Sequence, residues 1–305
     1  MQVPRASARP FCDNHRHEVR LATLSSDSPL ILRVDCIDRP GLIHALTGVL
    51  SRHGVNIVTN DEFVDAASGR FFMRTEFVGG RAVRDTLLRE LTNALPPGAT
   101  VTISGDHRPR VVVFATREHH CLGELLLRHA HGELGATIDL VISNRDVLRG
   151  LTDRFDVPFV HVPHEGRSRE SHERAILDIL AGYAVDHLVL AKYMRVLSTD
   201  FIARYRHRIV NIHHSFLPAF VGAHPYRQAF ERGVKIIGAT AHFVTEALDE
   251  GPIIAQAVVP VDHSFRADEM ARAGRDVEKI VLARALKLVF EDRVFLNGNR
   301  TIVFD

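Results

Sequence analysis

From residue 29 the chain alternates apolar and polar positions in ways that predict its elements. Leu30 to Ile37 reads LILRVDCI, the period-two alternation of a half-buried strand. Asp38-Arg39-Pro40-Gly41 ends it, and Leu42, Ala45, Leu46, Val49 and Leu50 then recur at helical spacing, so a helix is entered through Pro40 and Gly41. Residues 55–65 and 70–78 read as strands joined by the turn Ala66-Ala67-Ser68-Gly69, and a helical run over 84–95 and a short strand over 99–105 follow. The order βαββαβ predicts a ferredoxin-like domain over 29–105.

The polar, proline-bearing stretch 106–110 reads as a linker. Behind it the pattern changes. Residues 111–116, VVVFAT, form an uninterrupted β-branched run, as in a strand buried on both faces. Further short apolar runs at 137–144, 159–164, 186–193 and 208–214 alternate with helical segments, including 121–132, 169–182 and 199–205. This alternation predicts a doubly wound, mostly parallel, Rossmann-like α/β sheet for 111–305, with ligands at the carboxyl ends of its strands. Those ends are Thr116 to Cys121, Ser143-Asn144, Ala191 to Leu197 and Asn211 to Pro218. A last helix over 268–294 carries Ile280, Leu282, Leu286 and Val289 as the stripe expected to pack on the sheet.

Composition narrows the function. The chain has 305 residues and is 46% hydrophobic, enough for two cores. Lys and Arg number 38 against 37 Asp and Glu, a net charge of +1, which gives no general attraction to nucleic acid or anionic lipid. No apolar run reaches the roughly 18–20 residues of a spanning helix. Cys12, Cys36 and Cys121 are an odd number without Cys-x-x-Cys spacing, so reduced thiols and a cytoplasmic location are expected. Residues 1–28 lack periodicity and are expected to be a disordered extension, and their acidic residues argue against a transit peptide.

Two polar residues stand out in the run Ile209-Val-Asn-Ile-His213. Asn211 and His213 are two apart, so they project from one face at the carboxyl end of the fifth strand of the second domain. An amide beside an imidazole suits the stabilisation of a carbonyl oxygen that gains negative charge, although a capping asparagine and a satisfied core histidine would give the same pattern. Further on, His242 lies in a strand-like segment and Asp249 in a loop closed by Glu250-Gly251-Pro252, where a carboxylate can face back toward the site.

Taken together, Asn211-x-His213-x-Ser215-x-Leu217-Pro218, Gly238-x-Thr240-x-His242-Phe243-Val244 and Leu248-Asp249-x-Gly251-Pro252-Ile253-Ile254 resemble the folate-dependent formyltransferase family over residues 110–305. The resemblance implies that Asn211, His213 and Asp249 are catalytic. It also implies that the backbone of Arg195, Val196 and Leu197, in the further matching segment 191–205, lines a pterin pocket opposite Glu246, Ala247 and Leu248. Ser215, His242 and, secondarily, His120 are expected at the substrate. Transferases of this family that formylate a phosphorylated amine carry a glycine-rich phosphate loop after the first strand. Here Thr116 to Cys121 contains no glycine and holds Glu118, His119 and His120 instead. Without that cradle water becomes the simplest acceptor, and the chain resembles the branch that hydrolyses 10-formyltetrahydrofolate to formate and tetrahydrofolate, formate that can supply purine synthesis. His224 and Arg227 depart from that branch's usual residues.

In the first domain, Asp38-Arg39-Pro40-Gly41-Leu42 and Asn56, which opens the strand after the helix, resemble an ACT domain. That implies pairing into a homo-oligomer, dimer or tetramer, and a glycine or methionine effector near this turn, where Pro40 and Gly41 can equally serve only to shape the helix entry. Formyl transfer to a non-phosphorylated amine, and an amino-acid sensor on a degenerate catalytic body, stay open as alternatives. No cofactor is expected, the folate being the substrate. No metal is expected either, since no His-Glu-x-x-His occurs and no His-x-His spacing converges with carboxylates.

Overall fold

The computed structural model of the chain describes residues 29–105, 108–219 and 225–305, the side chain of Pro225 excepted. The expectations for residues 1–28, for Cys12, for the first part of the linker and for His224 therefore lie outside the described residues.

The first unit runs β1 (Leu30–Ile37), α1 (Leu42–Arg52), β2 (Asn56–Asp65), β3 (Arg70–Val78), α2 (Arg84–Asn93) and β4 (Thr100–Ser104). Its sheet has the order β2-β3-β1-β4 and is antiparallel throughout. Leu30, Leu32, Val34 and Cys36 alternate inward along β1 and meet Leu46, Leu50, Leu87 and Leu91 of the two helices, which forms one core on one side of the sheet. Gly41 takes φ 87°, a left-handed turn that a side chain would strain, and its carbonyl accepts the first helical hydrogen bond, from Ala45.

Arg110 already belongs to the second unit, as the first residue of β5 (Arg110–Ala115). There follow α3 (His120–Ala130), β6 (Thr137–Ser143), α4 (Arg149–Thr152), β7 (Phe159–His161), α5 (Arg169–Leu180), β8 (His187–Leu190), α6 (Thr199–Arg204), β9 (Ile209–His213), α7 (Pro225–Glu231), β10 (Ile236–Phe243), β11 (Ile253–Pro260) and α8 (Ala267–Phe290). The seven-stranded sheet has the order β11-β10-β9-β8-β5-β6-β7. Its five strands from β9 to β7 are parallel, and β10 and β11 extend one edge antiparallel. Both faces are covered, one by α3 and α8 and the other by α5 and α6, which is why Val111, Val112, Val113 and Phe114 are buried without alternation.

Two features differ from the sequence reading. Ile280 of α8 is 57% exposed, and the buried face instead carries Gly274, Glu278, Val281, Leu282 and Ala285. The helix is rotated so that a carboxylate, not an isoleucine, looks inward. The chain also closes with a hairpin, β12 (Val294–Asn297) and β13 (Arg300–Val303), that the periodicity does not announce. Its Phe295 packs edge-on against Phe72 of β3, which joins the hairpin to the face of the first sheet that its own helices leave free.

Candidate active site

Strand β9 brings Asn211 and His213 to the carboxyl edge of the sheet, as the period-two argument requires, and both line a cavity of about 270 Å³. β10 pairs antiparallel beside β9 with His242 directly opposite Asn211. His242 Nδ1 donates to the Phe243 carbonyl at 2.9 Å, so in the neutral ring Nε2 is bare and accepts from Asn211 Nδ2 at 3.2 Å. Burial holds the His242 imidazole below its ordinary pKa, outweighing the opposing pull of the Phe243 carbonyl and Asp249, and so favours that neutral form. The Asn211 amide is thereby fixed with one N–H on His242 and the other to offer.

The loop after β10 returns Asp249 to the same place. Asp249 sits at φ 58°, and Oδ1 lies 3.3 Å from His213 Nδ1 and 3.8 Å from His242 Nε2. Burial would raise its carboxyl, but the His213 hydrogen bond and the neighbouring imidazoles hold it below the usual carboxylate range. The turn that makes this return has no room to spare, since a Cβ on Gly251 would lie 1.8 Å from the Phe243 carbonyl oxygen. His213 stacks on His214, ring centroids 4.9 Å apart, and His213 Nε2 has no partner among the described residues. Burial, and then the charges of Lys192 and His213, push His214 down to about 4, so it is neutral at physiological pH.

The expected pterin-pocket segments form the rest of the cavity. Arg195, Val196 and Leu197 line one side and Glu246, Ala247 and Leu248 the other. Val196 and Leu248 leave an apolar rim open to solvent, suited to a flat heteroaromatic ring. The first segment is tied at both ends: Met194 N–H donates to Thr116 Oγ1 at 3.1 Å and Ser198 N–H to Glu173 Oε1 at 2.8 Å.

Two residues expected at the substrate are placed elsewhere. Ser215 is buried and donates to the Ala219 carbonyl at 2.7 Å, in a loop also held by Thr240 and Gln256. His120 does not line the cavity, and its Nε2 lies 2.8 Å from Glu278. In the first unit Asp38, Arg39, Pro40 and Gly41 are exposed at the turn, whereas Leu42 points into the core. Asn56 is exposed too, but its pairing with Val78 puts it at the opposite end of the sheet from the turn, which follows the Ile37–Arg70 pair. Arg227 is exposed on α7 and pairs with Glu231.

The sequence reading did not single out Lys192, Tyr226 or Glu278. Glu278 is completely buried, and its Oε1 accepts from Tyr226 Oη at 2.6 Å while Oε2 lies 3.0 Å from Lys192 Nζ. The one local signal is a glutamate in step with the apolar stripe of α8. Burial would raise Glu278, but His120, Lys192 and Tyr226 bring it down to about 2. His120, Cys121 and Glu278 offer ligand atoms within 4.8 Å of one another. Both Glu278 oxygens already have protein partners, and burial drives the Cys121 thiol well up, away from the thiolate a metal prefers.

A parallel sheet whose carboxyl edge presents an amide, an imidazole and a carboxylate to one heteroaromatic-sized cavity, behind a ferredoxin-like unit, defines a class: a formyl-transfer catalytic domain carrying an ACT domain. Residues 109–286 match the formyl transferase family model and residues 30–95 the ACT domain model. A formyltetrahydrofolate deformylase of Escherichia coli (O6:H1) is 54% identical over 274 residues, 90% of this chain and 97% of that protein. The crystal structure of a formyltetrahydrofolate deformylase from Pseudomonas syringae pv. tomato superposes with a TM-score of 0.88 at 40% identity, over 93% of this chain and 96% of that one. Glycinamide ribonucleotide transformylase 1 from Symbiobacterium toebii matches at a TM-score of 0.63 and 33% identity, over 69% of this chain and all of its own. The chain belongs to the formyltetrahydrofolate deformylase family.

Proposed function

We infer that this chain hydrolyses 10-formyltetrahydrofolate to formate and tetrahydrofolate, as the 54% identity to a deformylase along nearly its whole length supports. Formate released this way feeds purine synthesis and balances the pool of one-carbon folates. The observation that carries the chemistry is the convergence of Asn211, His213 and Asp249 on one cavity.

The pterin lies between the 195–197 and 246–248 segments with its formyl group at β9. Asp249, held as a carboxylate, positions a water and takes its proton as the oxygen attacks the formyl carbon. The oxyanion that forms accepts the free N–H of Asn211 and a hydrogen bond from His213. The N10–carbon bond then breaks. N10 takes up a proton handed on from the water by Asp249 or His213, and formate leaves. No step calls for a cofactor, and the folate is the substrate.

Three finer readings complete the proposal. The setting is cytoplasmic, which the free, buried thiols of Cys36 and Cys121 support; no helix among the described residues is long and apolar enough to cross a membrane. The chain works as a homo-oligomer, dimer or tetramer, and the exposed Val58, Phe63 and Val64 on edge strand β2 support pairing of the first unit. Glycine or methionine acts on the ACT domain near the exposed Asp38–Gly41 turn.

The test is formate and tetrahydrofolate production by the purified chain with 10-formyltetrahydrofolate and no acceptor, beside Asp249→Ala. Equal amounts of both products from the wild type, and neither from the variant, are expected. Intact substrate after prolonged incubation with the wild type would rule the hydrolase out.

A further inference from the structure

Four segments far apart in sequence meet behind the catalytic strand. His120 comes from the start of α3, Lys192 from the loop after β8, Tyr226 from α7 and Glu278 from α8. Their hydrogen bonds and ion pair all end on the Glu278 carboxylate. The backbone is shaped for the meeting. Lys192 sits at φ 61°, which a lysine rarely adopts, and a Cβ on Gly274 would lie 2.1 Å from Tyr226 Oη, so only glycine lets that ring in. Lys192 is also a wall of the same cavity as Asn211 and His213, although its side chain is only 4% exposed. Removing both a lysine and a glutamate from water is costly, and an apolar pair of the same volume would usually serve stability as well or better. The pair therefore calls for a role at the site.

The reaction poses a selectivity problem that the pair can answer. A formyl carbon held next to an oxyanion site is open to any nucleophile of the right reach, and the transformylase that shares this fold is named for an amine acceptor, glycinamide ribonucleotide. An acceptor amine must place its nitrogen about 3–3.5 Å from that carbon and find a group to take its proton. We propose that Lys192, pinned on Glu278 by the His120 and Tyr226 network, reserves the formyl carbon for water by standing where an acceptor amine would enter. Its ammonium repels a cationic amine and occupies the carboxylate that would otherwise receive one. Paired with that carboxylate, the ammonium has no lone pair with which to attack the formyl carbon itself. Water is small and uncharged and passes both barriers. This inference rests on the hydrolase reading and names the residue that sets its acceptor.

The experiment offers 10-formyltetrahydrofolate to the full chain with increasing glycinamide as the probe amine. In the transfer reaction the amine nitrogen bonds to the formyl carbon, the N10–carbon bond breaks, and the proton lost by the amine ends on N10, giving N-formylglycinamide and tetrahydrofolate. Wild type is expected to release nearly one formate per tetrahydrofolate at every glycinamide concentration, with no more than a trace of N-formylglycinamide. Lys192→Ala is expected to form N-formylglycinamide in proportion to glycinamide, its amide-to-formate ratio rising about tenfold or more above wild type, the low end of what one pocket contact contributes to discrimination. Lys192→Ala in a Glu278→Gln background leaves no unpaired buried charge and carries the same expectation if the single variant does not fold. Lys192→Arg, which keeps the cation, should remain a hydrolase. Formate as the sole formyl product from a folded alanine variant overturns the inference while the hydrolase stands. No formate from the wild type overturns the hydrolase reading and the inference with it.

Discussion

Asn211 can hold an oxyanion only if its amide faces the right way, and an amide has two faces of nearly equal shape. His242 decides between them. Because its Nδ1 is committed to the Phe243 carbonyl, its Nε2 can only accept, and it takes one N–H of Asn211. Protonation of His242 would put a second N–H where the amide N–H points and break this arrangement. Its pKa is depressed, so the neutral form and the oriented amide are present above the ordinary value of 6.5 and persist somewhat below it, failing only as pH drops through the lowered value. Asn211→Ala is expected to lower kcat about a hundred- to a thousandfold, the usual contribution of one oxyanion donor, with little change in KM. An acid limb of kcat from His242 is expected in the wild type, and it should fade in that variant, since no amide is left to misorient. Steady-state kinetics from pH 5 to 8 reads both effects. A variant with near-wild-type kcat would take Asn211 out of the mechanism.

At the level of elements, strand identity and strand ends were legible because a doubly wound sheet writes them plainly: short β-branched runs mark buried strands, and polar residues at their carboxyl ends mark the site. Asn211 and His213 were readable as residues of the cavity for that reason, and so was the βαββαβ order, where β1 matches its alternating stretch residue for residue. What the pattern conceals is the path of loops and the rotation of helices. Nothing periodic says that Lys192 adopts a left-handed backbone, that α8 turns Glu278 inward and Ile280 outward, or that His120 bonds to Glu278 and does not line the cavity. Each of these is settled by partners from distant segments. The Asp249 loop is the sharpest case, because its return depends on a missing Cβ. Gly251→Ala must push the turn off Phe243, whose carbonyl oxygen and carbon would lie 1.8 and 2.9 Å from the new methyl. Strain of this kind typically costs about 1–3 kcal/mol of stability. Displacing Asp249 by an ångström should lower kcat/KM about a hundredfold. Thermal denaturation and initial rates check the two effects, and unchanged rates would mean that the loop tolerates the shift.

On the scale of the whole molecule, the two units are joined chiefly through the chain's last segment. Arg33 of β1 donates to Asp292 and to the Val294 carbonyl and lies 4.3 Å over Phe295, and Arg74 of β3 reaches the Glu291 carbonyl at 2.9 Å. At the end of β2, Asp65 accepts from Asn297 at 2.7 Å and from Arg300 at 2.8 Å, gripping the β12–β13 hairpin. The far side of that hairpin touches the loop that carries Asp249: Asn299 donates to the Glu250 carbonyl at 2.9 Å and Thr301 to the Ile253 carbonyl at 2.6 Å. A run of direct contacts thus leads from the ACT sheet to the residue next to Asp249, and a shift of the first unit has a short way to the Asp249 carboxylate. Asp65→Ala cuts this run at its first grip, at a residue that does not line the cavity. It is expected to change kcat/KM by about two- to thirtyfold, the range over which residues along such a network modulate a distant site. The neighbouring exposed Glu62→Ala, which does not touch the hairpin, should leave kcat/KM unaltered. If Asp65→Ala loosens the hairpin, seen as faster proteolysis near residue 298, yet keeps wild-type kcat/KM, the contacts hold the two units together without carrying a signal between them.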